Sequence, residues 1–326
     1  MSTPFDRLGP DLVTTDPEVV ASFARDEAAL GVQGGAGGAG PLAVVSPRST
    51  ADVAAVLAIA HEHRVPVVVR GAGSGLSGAA AAPDGSVVLS TRRLARVLEV
   101  DPVERLAVVQ PGVVTGDLRA AAADAGLFYP PDPGSVAFST VGGNVATNAG
   151  GMCCVKYGVT GDFVLGLEVV LADGTVARTG RRTAKGVAGY DLTALVVGSE
   201  GTLGVITEIT VRLLPAPGPA RTLVATFPSL GAAGAAVAAV TRAGLDLSML
   251  EVMDRTTIDA VDRLTGMGLG ADGTPAAMLL AQGDGGSAAA ALEAMAVLCG
   301  DAGAEDVVVA DDAVEGEALL EARRQA

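Results

Sequence analysis

Ser139-Thr140-Val141-Gly142-Gly143-Asn144, then Thr147-Asn148-Ala149-Gly150-Gly151, then Lys156-Tyr157-Gly158, bring glycines and short polar side chains together at close spacing. Glycine carries no Cβ, so a ligand can approach the main chain there. Threonine, asparagine and serine add hydroxyl and amide donors and acceptors. The run reads as a backbone-rich surface suited to a large polar ligand, and residues 141–161 are expected to be mostly loop.

Two more clusters flank it. Upstream, Arg70-Gly71-Ala72-Gly73-Ser74-Gly75-Leu76-Ser77 follows the β-branched run Val65–Val69, whose start suits Pro66. Glycines at that spacing let amides converge on an anion, and Ser74 and Ser77 add hydroxyls. A nicotinamide-type dinucleotide loop is the first rival, but such a loop opens a helix. Here the chain runs through Ala82-Pro83-Asp84-Gly85 into another strand, and no Gly-Lys-Ser/Thr phosphate loop is present. Downstream lies Gly198-Ser199-Glu200-Gly201-Thr202-Leu203-Gly204-Val205-Ile206.

Around these clusters the pattern alternates strands and helices. Ser49 and Thr50 precede apolar residues at helical spacing, an N-cap and an amphipathic helix. Strands are expected at 42–45, 65–69, 87–90, 107–110, 166–171, 176–179 and 204–213, with a helix at 115–124 and a hairpin at Asp173-Gly174. Pro215, Pro217 and Pro219 mark a boundary. Beyond it, strands at 221–227, 248–253, 277–282 and 307–310 alternate with helices at 231–243, 257–265 and 287–299, and a last helix begins near Ala313. The organisation is a short helical lead-in and Gly-rich loop over 1–40, a first domain over 41–214 and a second over 220–326, all of α+β class.

Composition narrows the partners. Hydrophobic residues make up 49% of the 326 residues, aromatics only 3%, with no Trp, so a binding site must rest on backbone and small side chains. The net charge of −15 disfavours nucleic acid and anionic membrane surfaces. Cys153, Cys154 and Cys299 are an odd set, two of them adjacent, and read as free thiols in a reducing compartment. The N-terminus has no basic and apolar leader pattern, so a cytoplasmic location is expected, with peripheral membrane association compatible with it.

In order and spacing the three clusters resemble the flavin-binding domain of the vanillyl-alcohol-oxidase or para-cresol-methylhydroxylase (PCMH) type. Within it they are most similar to glycolate oxidase flavin subunits and to D-lactate and D-2-hydroxyglutarate dehydrogenases. Asn148-Ala149-Gly150-Gly151 through Lys156-Tyr157-Gly158-Val159-Thr160-Gly161-Asp162 carries the resemblance, with Gly189-Tyr190-Asp191-Leu192 and Ser199-Glu200-Gly201; it is strong over 41–214. It implies an α+β fold, a two-subdomain PCMH-type FAD-binding domain followed by an incomplete ferredoxin-like cap.

The resemblance also implies roles. Arg70, Gly71, Ala72, Gly73, Ser74, Gly75 and Ser77 would hold the FAD pyrophosphate. Pro131, Asp132, Thr140, Gly142, Gly143, Thr147, Asn148, Tyr157 and Gly158 would line the flavin and its linker. Glu200, Gly204 and Ile206 would sit near the adenine or ribose end. Serine stands at position 74, where relatives with covalent flavin carry a histidine, so FAD would be non-covalent. Taken singly, Tyr157 reads as a half-buried core residue, Glu200 as a solvated charge, and Cys153 and Cys154 as packing residues; the ordered combination carries the flavin reading.

The implied activity is hydride transfer from a 2-hydroxy acid to flavin N5, with electrons passed to a quinone, cytochrome, flavoprotein or oxygen. That chemistry needs a base and a cation for the substrate carboxylate. The family draws its base and metal-binding histidines from a C-terminal segment. This chain has only His61 and His63, two apart on a helix and therefore facing different directions; neither is assigned as base, and no metal site is expected. Gln282-Gly283-Asp284-Gly285-Gly286 superficially resembles a family Gly-Asp-Gly motif but lacks its histidines and reads as a turn. Arg323 matches a carboxylate-binding arginine, although Leu320 stands where an aromatic is usual and a solvated helix end is an equal reading. The chain is expected to be C-terminally truncated; the alternative is an FAD-binding subunit, inactive without a partner.

Overall fold

The protein is described by a computed structural model, over residues 3–28, 40–183, 185–266, 269 and 275–310. The chain divides into two compact units, the first formed by residues 1–149 with 159–215, the second by 150–158 with residues from 216 onward. In chain order the elements are β1 (Val13–Thr14), α1 (Pro17–Ser22), β2 (Ala43–Val45), α2 (Thr50–His63), β3 (Val67–Arg70), β4 (Val87–Ser90), β5 (Val97–Asp101), β6 (Leu106–Val109), α3 (Thr115–Asp124), β7 (Leu127–Phe128), α4 (Val141–Thr147) and α5 (Cys154–Tyr157). There follow β8 (Val164–Val170), β9 (Val176–Gly180), α6 (Leu192–Val196), β10 (Val205–Arg212), β11 (Leu214–Pro215), β12 (Ala220–Phe227), α7 (Leu230–Ala243), β13 (Met249–Asp254), α8 (Arg255–Thr265), β14 (Ala277–Asp284), α9 (Ala288–Asp301) and β15 (Asp306–Val309).

The first unit holds two main sheets. In one, β2, β4 and β3 pair in parallel and β1 joins the β2 edge antiparallel. Strands β2 and β4 are buried along their whole length, which is why they read as unbroken Val/Leu/Ala runs rather than alternating ones. Ala43, Val45, Val87 and Leu89 face Val53, Val56, Leu57 and Ile59 of α2. Val44 and Val88 face Val20 and Phe23 of the lead-in. At about 1.5–3 kcal/mol for each fully buried Val or Leu, both faces need their cover, so α1 belongs to the core. The lead-in read as helical from sequence is mixed: a 3-10 turn at Pro4–Leu8, then β1, then α1 capped by Asp16. Helix α2 starts at Ser49, whose Oγ accepts from Asp52 N at 3.1 Å, and ends where Arg64 turns left-handed at φ 54°.

The other sheet is antiparallel, in the order β5-β6-β10-β8-β9. Its β8–β9 hairpin turns at Asp173-Gly174, with Gly174 at φ 88° and Asp173 Oδ1 accepting from Thr175 N at 2.9 Å. Besides the short β7, β11 and α5, three longer elements differ from the sequence expectation. Strand β5 went unread because Val97 and Leu98 are exposed, so no buried alternation marks it. Helix α6 went unread for want of length. Residues 141–147, expected as loop, form α4, because Val141 and Val145 are fully buried and Thr140 caps the helix, its Oγ1 accepting from Gly143 N at 3.3 Å. Tertiary burial there outweighs the low helix propensity of Gly142 and Gly143.

The second unit is an antiparallel sheet in the order β13-β14-β12-β15, the order of a ferredoxin-like layer, with α8 as an extra helix between its second and third strands. Leu223, Ala225 and Phe227 alternate inward along β12 and pack on Ala233, Ala236 and Val240 of α7 and Leu292, Met295 and Cys299 of α9. Strand β14 runs through Asp284, and Gly285–Ser287 make the 3-10 turn that follows. The helix expected from Ala313, and Arg323 on it, lie outside the described residues.

Candidate functional site

Three loops of the first unit meet at one cavity of about 970 Å³, counting space open to solvent. The first loop leaves β3 and contributes Gly71, Ala72, Gly73, Ser74 and Gly75, with Ala79 and Ala80 from its return limb. The second is the start of α4 and its approach: Pro133, Ser135, Thr140, Gly142, Gly143, Asn144, Ala146, Thr147 and Ala149. The third is Glu200, Gly201, Gly204 and Ile206, leading into β10.

The loops are held in place mainly by the backbone. Gly198 N and Glu200 N donate to Val145 O and Ala146 O of α4 at 3.0 and 2.8 Å. Glu200 adopts φ 52° and Gly201 φ 77°, so the third loop curls in the left-handed region. Behind the second loop, Asn144 Nδ2 donates to Thr115 Oγ1 at 2.7 Å, and Thr115 Oγ1 is 3.1 Å from Ser139 Oγ. All three residues are buried, and such a satisfied polar network fixes one conformation. Thr147 Oγ1 donates to Gly143 O at 3.0 Å.

The wall is made for close approach of a ligand to main chain. A Cβ on Gly71 would collide with Thr140 Oγ1, and one on Gly142 with the Pro111 backbone. Among the described residues no aromatic ring stands on the wall; the hydroxyl-bearing Ser74, Thr91, Ser135, Thr140 and Thr147 do. Its ionisable side chains are Asp26 and Glu200. Asp26 is committed locally, its Oδ1 accepting from Ala28 N at 3.1 Å and its Oδ2 from Ala80 N at 3.2 Å.

The remaining sequence candidates lie off this wall. Arg70 lies against the loop it precedes, its guanidinium packed on Gly73, where a Cβ would collide with it, while it donates to Arg25 O and stands 5.6 Å over the Phe23 ring. Burial pulls its pKa down, and Asp26 and Glu27 oppose that. Ser77 is exposed. Pro131 and Asp132 are buried just before Pro133. Asn148, at φ 49°, ends α4 and spends its Oδ1 on Gly161 N at 2.8 Å. Tyr157 and Gly158 belong to the 150–158 excursion, and the Tyr157 hydroxyl donates to Asp284 Oδ2 at 2.6 Å. Burial first, then Asp284, raises the Tyr157 pKa. His61 and His63 are exposed in the last turn of α2. Sequence reading missed Asp26, Val69, Thr91, Pro111, Pro133, Ser135 and Asn144. Of these, Asn144 stood inside a quoted cluster, and membership of that cluster was the signal available for it.

A wall of backbone, glycine and hydroxyls fits a dinucleotide such as FAD, whose diphosphate and polyol chain need many uncharged donors. The class defined by this fold and wall is a flavin-binding α+β protein. The chain belongs to the FAD-linked oxidases: residues 41–180 match the FAD binding domain and residues 216–326 the C-terminal domain of FAD linked oxidases. Its cofactor is FAD. Glycolate oxidase subunit GlcD of Bacillus subtilis is 42% identical over 88% of this chain and 61% of its own length. D-lactate dehydrogenase of Anaerostipes hadrus is 38% identical over 98% of this chain and 69% of its own. GlcD of Escherichia coli is 45% identical over 75% and 48%. The chain thus spans about half to two thirds of the length of these relatives. In fold it is similar to p-cresol methylhydroxylase, with TM-score 0.75, 20% identity and coverage of 94% of this chain and 64% of that one. It is likewise similar to 4-ethylphenol oxidase from Gulosibacter chungangensis, with TM-score 0.77, 22% identity and coverage of 99% and 68%. The α+β, PCMH-type expectation therefore holds.

Proposed function

We propose that this chain is the flavin-holding part of an oxidoreductase that oxidises a 2-hydroxy acid of the glycolate, D-lactate or D-2-hydroxyglutarate class. The observation that carries it is the three-loop cavity of backbone and hydroxyls in a chain of the FAD-linked oxidases. Residues 41–214 form the flavin domain and 220–326 the substrate cap. FAD bound there supplies a two-electron acceptor for the hydride at the substrate's C2. The chain's own part is to bind and orient. The amides of Gly71–Gly75 would hold the diphosphate, as main-chain donors suit anions. The segment Thr140–Thr147 and the Glu200–Ile206 loop would hold the rest, with the polar group of Asn144 turned inward to Thr115. Ser74 offers no ring nitrogen for a covalent flavin link, so the cofactor is held non-covalently.

Proton removal from the substrate hydroxyl needs a base near the flavin. Among the described residues no histidine lines the cavity; the base is unassigned, and a flavin-binding subunit that turns over only with a partner chain is the second reading. Arg323 is the proposed carboxylate ligand. The electron acceptor would be a quinone, cytochrome, flavoprotein or oxygen. Among the described residues no helix is long and apolar enough to cross a membrane, and a cytoplasmic site of action is the proposal.

The purified chain should be yellow, with flavin absorption bands, and acid precipitation should leave the flavin in the supernatant. Colour retained in the pellet would overturn non-covalent binding, and a chain indifferent to added FAD would overturn the reading altogether. Anaerobic bleaching by D-lactate, glycolate or D-2-hydroxyglutarate would support the enzyme; bleaching only after addition of a partner chain would favour the subunit.

A further inference from the structure

In the second unit, Lys156 Nζ lies 2.7 Å from Asp284 Oδ1 and 2.9 Å from Asp246 Oδ1. Tyr157 OH donates to Asp284 Oδ2 at 2.6 Å, and Ser287 Oγ donates to Asp246 Oδ2 at 2.9 Å. Asp284 is the last residue of β14 and its side chain is only 9% exposed. Each of its oxygens is thus taken by one of two neighbouring residues of α5. One lysine faces two carboxylates, so the cluster is net negative and its cation is not free to attract an anionic substrate. Burial pulls the Lys156 pKa down, but the two aspartates outweigh it and raise it.

The position of this cluster in the chain gives it a role. Helix α5 is a single turn with no side-chain cap, and one turn does not sustain itself. It is held from outside, by Asp284 and Asp246 on its polar side and by Met152 packing on Met249 and Leu280 just before it. The excursion that carries it leaves the first unit after Ala149 and returns at Val159. Its neck is pinched shut there: Ala149 O accepts from Thr160 N at 3.1 Å and from Thr160 Oγ1 at 2.8 Å. Ala149 stands on the cavity wall.

We infer that Asp284 is a positioning residue for the flavin cavity, fixing through Lys156 and Tyr157 the tip of the 150–158 excursion whose neck, at Ala149, is part of the cavity wall. It rests on the reading of that cavity as the FAD site. A carboxylate at the end of a cap strand thereby joins the cap's sheet, through covalent chain, to the wall that holds the cofactor.

The chain has two lysines, Lys156 and the exposed Lys185, so the cluster has a built-in reporter. The chain loaded with FAD is treated with N-hydroxysuccinimidyl acetate, and acylation at each lysine is followed by peptide mass spectrometry. Lys156 should react about tenfold slower than Lys185, the scale of one lost charge-assisted hydrogen bond. In Asp284→Asn, Lys156 should approach the Lys185 rate, the FAD Kd should rise about tenfold, and the visible flavin band should shift. Asp284→Glu should restore part of each. Should Asp284→Asn not fold, Asp246→Asn, on the more exposed partner, should give intermediate labelling with a smaller rise in Kd. Equal labelling of the two lysines in the unaltered chain overturns the inference. So does faster Lys156 labelling in either Asn variant with the FAD Kd and flavin band unchanged. An unaltered chain that binds no FAD overturns the cavity reading as well, which separates the two failures.

Discussion

Gly142 shows at the scale of one residue how the cavity is built. A methyl group there would collide with the Pro111 ring at its Cβ and with the Pro111 main chain, neither of which can rotate aside. Gly142→Ala should therefore destabilise the chain by about 1–3 kcal/mol, the cost of overpacking a closed site, and weaken FAD binding because α4 must shift. Gly286→Ala, with nothing within 4 Å of the new methyl and no left-handed φ, is the control and should be neutral. Urea midpoints and flavin titrations of both variants check this; equal midpoints would sink it. Such glycines were legible because their requirement is local: a main chain that must be approached shows as Gly in the sequence. Arg70 was not legible in the same way. Its place beside the glycines pointed to a phosphate, but its contacts with Arg25 O, the Phe23 ring and Gly73 are made by tertiary folding and leave no local mark in the sequence. Thr91 and Pro111 reach the wall from outside all three clusters, and no short-range pattern marks residues brought in by tertiary folding.

Among elements, Glu168 ties the antiparallel sheet of the first unit to helix α2. From β8 its Oε1 accepts from Thr50 Oγ1 of α2 at 2.6 Å and from Thr207 Oγ1 of β10 at 2.9 Å, and its Oε2 from Arg178 of β9 at 2.6 Å. The side chain is 10% exposed. Burial alone would raise its pKa; the bonds from Thr50, Thr207 and Arg178 outweigh burial and hold it below the ordinary value. A depressed carboxyl stabilises the fold above its unfolded pKa, about 4.3 for Glu, and that share is lost as pH falls through the folded value. Glu168→Ala should cost about 1.5–3 kcal/mol near neutrality, the worth of hydrogen bonds to a charged group. Glu168→Gln should show a flatter loss of stability below pH about 4.3 than the unaltered chain; acid limbs of equal slope would refute the linkage. The strands and helices themselves were largely legible, since β2 and β4 read as unbroken apolar runs, β12 alternates, and α2 opens on a Ser49 cap. Helix α4 and strand β5 were not. Gly142-Gly143 reads as loop until Val141 and Val145 are buried, and β5 shows solvent the apolar residues Val97 and Leu98 that a reader expects inside.

For the whole molecule, the two units each own a closed core. The first packs Val53, Val56 and Leu57 on Val45 and Leu89, the second packs Leu223 and Phe227 on Leu292 and Met295. Among the described residues these two cores share no side chain, so two thermal transitions are expected for this chain. The residues of the flavin cavity all lie in the first unit. A ligand that binds only the folded form stabilises it by RT ln(1 + [L]/Kd), about 2.7 kcal/mol at a hundredfold excess over Kd. FAD at that concentration should raise the transition of the first unit, whose assignment can be made by hydrogen exchange at β4 and β10, and should leave exchange at the α7 and α9 core of the second almost unchanged. A single transition that rises as one body with FAD would show that the two cores melt together, and a rise confined to α7 and α9 would place the cofactor elsewhere. Asp284→Asn adds a second condition. If the 150–158 excursion carries strain from the cap to Ala149, the variant should reduce the FAD-induced rise in the first unit while lowering the second unit's own transition, because the carboxylate removed belongs to the second and the wall it steadies belongs to the first.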